Sequence, residues 1–190
     1  MCHALLQDPK FFLLLLRIDE ELAADVRAGG CECGGVLHCG DYPRKPRACP
    51  IEVRADFSSR FSFCCNLCRL RTTSVSVRFL GRRVYLGLAV VLCSARHAGQ
   101  NTAAQQLAAT LGVAVPVRTL QRWRQWWCEQ FALTVLWQAT CARFMPPVAT
   151  ERCPASLLER FAGNAEEALL RLLVFLSPLT VRPIALRGGR

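Results

Sequence analysis

Four of the twelve cysteines in this 190-residue chain form two close groups, Cys31-x-Cys33 and Cys65-x-x-Cys68. Soft sulfur ligands on two short loops suit a structural zinc site, because Zn²⁺ takes four ligands in a tetrahedron and each loop can supply two. Cys65-x-x-Cys68 has the usual loop spacing; Cys31-x-Cys33 is one residue tighter. Gly34 and Gly35 follow Cys33 directly, where the turn must be tight enough for backbone amides to face sulfur. Cys64 is a rival for Cys65, and His38 and Cys39 are rivals for the first group. Spacing to Cys68 favours Cys65, and His38 also reads as an ordinary loop histidine. Cys49, Cys93, Cys128, Cys141 and Cys153 are scattered through apolar or loop contexts and read as small core or neutral side chains.

The second group of residues with chemical meaning is the arginines. No Asp or Glu occurs from Phe57 to Cys128, a span that carries Arg60, Arg69, Arg71, Arg78, Arg82, Arg83, Arg96, Arg118, Arg122 and Arg124. These ten equal the formal net charge of +10, so the rest of the chain balances to zero. A one-signed segment inside a balanced chain points to a polyanionic partner; a solvated basic face with no partner is the plain alternative. Lysine is nearly absent, with Lys10 and Lys45 alone, and arginine is the better residue for bidentate phosphate or guanine contact.

The end of that span reads as a helix-turn-helix. A helix over 102–111 begins at Thr102 with Gln105 three residues on as a capping box, and places Leu107, Ala108 and Leu111 inward. Gly112 supplies the turn, about two residues longer than the tightest version, and Pro116 sits where a second helix can start. That helix buries Leu120, Trp123 and Trp127 and exposes Arg118, Thr119, Gln121, Arg122, Arg124 and Gln125. In this motif the early turns of the second helix enter the major groove, where Arg reads guanine and Gln reads adenine. Arg82, Arg83, Arg69 and Arg71 join these as candidate DNA contacts. An ordinary helical hairpin with a basic face is the competing reading.

Around these residues the sequence specifies a mainly α fold with a small β zinc ribbon. Residues 4–28 form a helix with Phe11, Phe12, Leu14, Leu15, Ile18 and Leu22 on one face and Asp19, Glu20, Glu21 and Asp25 on the other; Gly29-Gly30 ends it. The alternation in 57–63 and in 71–79 predicts strands into and out of the second cysteine loop. Between them, Asp41 to Arg47 is basic and proline-bearing, so it is extended rather than helical. Residues 82–97 form a helix apolar nearly all round, hence central. After a connector over 129–154, residues 155–176 form an amphipathic helix for packing or dimerisation, interrupted at Gly163-Asn164. The units are therefore 1–30, a packing helix; 31–80, the ribbon with its basic insert; 81–130, the helix-turn-helix; and 131–190, a helical segment ending in a basic tail. The apolar run Phe11–Leu16 is too short for a signal peptide and Val84–Ala95 too short for a membrane span, so a reducing cytoplasm is expected.

The order of a four-cysteine ribbon, R-L-R-T-T at Arg69–Thr73, an apolar helix, and L-A-A-T-L-G-V followed by R-T-L-Q-R-W across Leu107–Trp123 resembles the N-terminal region of bacterial insertion-sequence transposases and the small DNA-binding proteins encoded beside them. The resemblance covers about half the chain. It implies recognition of DNA ends or regulation of a mobile element, with double-stranded DNA as partner, a transposase subunit as a second one, and a nucleoid location. A homodimer through the terminal helix is compatible with it. Such transposases carry a separate domain with carboxylates for two Mg²⁺ ions; here no carboxylate lies between Asp56 and Glu129, and Glu129, Glu151, Glu159, Glu166 and Glu167 follow without a sheet to hold them. Walker A, nucleophile-elbow and H-E-x-x-H patterns are absent from the sequence, so the expectation is a binding protein, not an enzyme.

Overall fold

The computed structural model describes residues 4–80, 86–96 and 115–181. Helix α1, Pro9–Gly29, starts where Asp8 accepts a hydrogen bond from the Lys10 amide (2.9 Å) and Pro9 occupies the first turn. It ends at Gly30, whose φ of 69° suits a residue without a β-carbon. The face it buries is Phe11, Phe12, Leu15, Asp19 and Ala23. Asp19, expected on the polar side, is thus in the core.

Two small antiparallel sheets follow. Strands β1 (Leu37–Cys39), β4 (Ser62–Cys65) and β5 (Arg71–Thr73) form one in the order β1-β4-β5; β2 (Tyr42–Pro43) pairs with β3 (Ser59–Arg60) in the other. Register sets Leu37 opposite Cys65, and Cys64 between His38 and Arg71. Leu37, Phe63 and Cys65 point inward onto Ala23 of α1, with Val26, Cys31 and Phe61 packed around them, and this small cluster lies beneath the cysteine loops. Pro43 sits in a two-strand ladder, where its missing N–H is tolerated.

The strands are shorter than the alternation suggested, for identifiable reasons. Phe57 lies in a turn, fully buried against Phe12 and Phe79. Beyond Thr73 the chain leaves the sheet because the Asp19 carboxylate takes over its donors. It accepts from the Ser76 hydroxyl (2.6 Å), the Val77 amide (2.7 Å) and Arg78 Nε (2.7 Å). Arg78 is itself buried, donating to the carbonyls of Asp56 and Ser59 with the rings of Phe57, Phe61 and Phe79 around its guanidinium. Arg60 is buried too and donates to the carbonyls of Ser74 and Thr180. Burial lowers its pKa to about 10. Arg60 and Arg78 therefore belong to the interior and not to the basic surface that the acid-free span suggested.

Helix α2, Gly87–Arg96, is central as its composition demands: Leu88 to Cys93 are all buried. It starts where the Gly87 amide donates to the Arg78 carbonyl (2.7 Å). Helix α3, Val117–Gln125, begins after Pro116 and continues into a π-helical turn, Trp126–Gln130. Short helix α4, Val135–Thr140, occupies part of the connector. The last helical stretch is split as Gly163-Asn164 suggested, into α5 (Ala155–Leu158) and α6 (Ala165–Leu176). Asn164 caps α6, accepting from the Glu167 amide while Glu167 accepts from the Asn164 amide. A chain of rings, Trp126, Trp127, Phe131, Trp137, Phe144 and Phe175, ties α3 to α4 and α6. The main core runs from α1 through α2 and α3 to α6, so the molecule is mostly helical with small sheets at one end. Arg82 and Arg83, and the helix over 102–111 with Thr102 and Gly112, lie outside the described residues.

Candidate metal centre and the basic helix

Cys31, Cys33, Cys65 and Cys68 converge: their sulfurs all lie within 4.8 Å of one another. Cys31 Sγ is 3.5 Å from Cys68 Sγ, and Cys33 Sγ is 3.4 Å from Cys65 Sγ. A tetrahedron with metal–sulfur bonds of about 2.3 Å has edges of about 3.8 Å, so these spacings can accommodate a four-coordinate ion with little movement. Cys65 stands at the end of β4 and Cys68 beyond the turn that leads to β5; Cys31 and Cys33 flank the turn between α1 and β1.

The backbone is shaped for thiolates. The Leu67 amide donates to Cys65 Sγ (3.4 Å). The Gly34 amide returns to the Cys31 carbonyl (2.8 Å) with φ of 80°, and the Cys31 amide donates to Gly35 O (3.1 Å). Asn66 joins the two loops: its Oδ1 accepts from the Val36 amide (2.8 Å) and its own amide donates to the Val36 carbonyl (3.0 Å). At Gly35 a β-carbon would collide with Cys65 Sγ and stand 2.8 Å from Asn66 Oδ1, so this position admits only glycine without displacing a ligand.

Three of these sulfurs are shifted by their neighbours. Burial works against a Cys65 thiolate, but the amides of Cys68 and Leu67, with the Cys33 and Cys68 thiols, outweigh it and lower the pKa to about 6. Cys68 moves the other way. The Leu70 amide favours its thiolate, but the crowding of Cys33, Cys31 and Cys65, together with burial, pushes it up to about 12. Cys31 is raised as well: the Cys33 amide and the Cys68 thiol favour its thiolate, but the Cys33 and Cys65 sulfurs and burial prevail. Sulfurs packed this closely around one point are a set that could hold a metal ion.

The rivals stand apart. Cys64 points to the opposite face of β4, with its thiol toward the Arg69 carbonyl (3.5 Å), and His38 and Cys39 are exposed on β1 outside the cluster. Cys49, Cys93 and Cys153 are buried apolar side chains, and burial pushes Cys93 up to about 12. Cys128 is exposed, with its thiol toward the Glu151 carbonyl, and Cys141 is half-buried.

On α3 the two faces separate cleanly. Leu120, Trp123 and Trp127 are buried. Arg118, Gln121, Arg122 and Gln125, at intervals of three and four, form one exposed stripe, flanked by Arg124 and the half-buried Thr119. Among the described residues the ion pairs are Arg78–Asp19 and Arg152–Glu159, so no carboxylate neutralises these arginines. Arg122 is held along the helix by the Arg118 carbonyl and the Thr119 hydroxyl (3.3 Å each). Gln125 donates to Glu129 (2.9 Å), which closes the stripe. Arg69 and Arg71 lie instead beside the cysteine loops. Arg69 is exposed, and Arg71 stacks over Tyr42 (4.4 Å from its ring centre) while donating to the Gly40 carbonyl.

Sequence reading missed Asp19, Arg60 and Arg78 as a buried polar network; an acidic residue one turn from Leu15 and Ala23 on the apolar face was its only signal. Comparison with protein-family models, with curated proteins and with solved structures returned no match to this chain. No described helix is long and apolar enough to cross a membrane.

Proposed function

We propose that this chain binds double-stranded DNA without catalysing a reaction on it, with Zn²⁺ on Cys31, Cys33, Cys65 and Cys68 as a structural ion and α3 as the reading helix. An all-sulfur, four-ligand set with no position left for water suits structural zinc. The observation that carries the reading is the α3 stripe: arginines without carboxylate partners, set among glutamines at helical spacing, on a helix anchored by two buried tryptophans. Such a stripe fits a major groove, where Arg118 and Arg122 would meet guanine or phosphate and Gln121 and Gln125 adenine. The resemblance to insertion-sequence proteins suggests a mobile-element setting, with either sequence-specific or end-specific binding.

A mobility-shift titration at several salt concentrations tests this. Arg122→Ala with Arg124→Ala should weaken duplex binding and reduce the slope of log K against log salt by about two. Unchanged affinity contradicts the reading.

A second reading has its own support. Leu133, Val135 and Met145, in the connector, are 70%, 76% and 81% exposed and are apolar side chains that a partner could cover. In that reading the chain is an accessory subunit that engages a transposase, binds no DNA alone, and is recovered as a stable complex when co-expressed with it.

A further inference from the structure

The turn after Cys65 shows solvent an unusual mixture. Leu67 and Leu70 are 65% and 64% exposed, and Val36 on the facing loop is 60% exposed. Arg69 stands between the leucines with φ of 60°, a left-handed conformation that side chains with a β-carbon adopt at a cost and glycine adopts freely. The backbone uses that conformation to bring the Leu70 amide to Cys68 and the Leu70 carbonyl to the Cys65 amide (3.0 Å), whereas among the described residues no ion pair or hydrogen bond engages the Arg69 guanidinium. Arg71 is two residues on, steadied by Tyr42 and the Gly40 carbonyl. The acidic residue of the two loops is Glu32, between the first two cysteines.

The tip is also stiff. The Cys65 amide donates to the Leu70 carbonyl (3.0 Å), the Leu67 amide faces Cys65 Sγ, and Asn66 ties the turn to Val36. A protein partner would cover the leucines, but Arg69 and Arg71 beside them, against the single carboxylate of Glu32 in the two loops, favour a polyanion. Duplex DNA accounts for both. Apolar wedges unstack base steps from the minor groove, and arginine is drawn to the negative potential of a narrow one.

We propose that the Leu67–Leu70 turn is a minor-groove wedge, with Leu67 and Leu70 inserted against a base step, Arg69 in the groove and Arg71 on the adjoining phosphate. This rests on the DNA-binding reading and adds to it a second groove, the side chains that enter it and a bend in the duplex.

The test uses the full chain as purified and a short A·T-rich duplex carrying donor and acceptor dyes at its ends. Wild-type protein should raise energy transfer on binding, because the ends approach. Leu67→Ser with Leu70→Ser changes exposed side chains only and should keep metal content and melting temperature. It should bind on the order of tenfold more weakly, with no rise in transfer. Arg69→Gly should melt no lower than wild type yet lose affinity, with a salt slope shallower by about one. Wild-type binding without a change in transfer overturns the wedge. So does a leucine double variant that bends DNA as wild type does, which would leave the turn to a protein partner, and so does an Arg69→Gly chain that melts well below wild type. If those results appear while Arg122→Ala with Arg124→Ala still weakens binding, the wedge fails and the α3 reading stands. If wild-type protein binds no duplex, both fail.

Discussion

A methyl group at position 35 would occupy the space of the Cys65 sulfur and crowd the Asn66 amide, so Gly35→Ala is expected to weaken metal binding. Competition with a chromophoric chelator measures this; equal affinity in both proteins would show that the loops relax at no cost. Asp19 is a different kind of residue. Removing its carboxylate leaves Arg78 charged and buried, and losing one partner of such a pair costs about 3–5 kcal/mol. Asp19→Ala should therefore lower the denaturation midpoint strongly in urea while the metal content per folded chain is unchanged. The buried thiols set a limit at high pH. Folded Cys93 holds its proton up to about 12, while in the unfolded chain it ionises near the ordinary 9.0. Unfolding then releases a proton, and stability falls as pH rises from 9.0 towards about 12. Cys93→Ala should flatten this alkaline loss, read as the unfolding free energy against pH.

At the scale of elements, legibility followed periodicity. The apolar face of α1, the all-round apolar α2, the start of α3 at Pro116 and the break at Gly163-Asn164 were readable, because each is a local pattern that tertiary contacts reinforce. The cysteine set was readable for the same reason: short loops fix sulfur geometry locally, so the spacing to Cys68 picks Cys65 over Cys64, and the alternation of faces along β4 turns Cys64 away from the cluster. The strands expected over 57–63 and 71–79 were legible in place but not in length. The first starts late because Phe57 lies in a turn, and the second ends early where Asp19, more than fifty residues away in sequence, captures Ser76, Val77 and Arg78. Nor could charge counting separate Arg60 and Arg78 from the exposed arginines, since only burial distinguishes them. The Asn164 cap is a clean element-scale test. Asn164→Ala removes the acceptor for the Glu167 amide and should cost about 1 kcal/mol, seen as a lower melting temperature. No change would mean that α6 is held by packing alone.

For the whole molecule, the sheets and cysteine loops sit at one end of a helical body whose core joins α1, α2, α3 and α6. The small cluster of Ala23, Leu37, Phe63 and Cys65 beneath the loops is too slight to order them by burial alone, so the ion would carry much of that work. Removing it should loosen the loops first and leave the helical core folded. Amide exchange would then quicken around Cys31–Val36 and Cys65–Leu70 while α2 and α6 stay protected. The most direct measurement is elemental analysis of the purified reduced chain, paired with Cys65→Ser and Cys68→Ser. One zinc per chain, absent from the double variant, is the expected result. A metal-free chain in which Cys31, Cys33, Cys65 and Cys68 alkylate as readily as exposed Cys39 would contradict it.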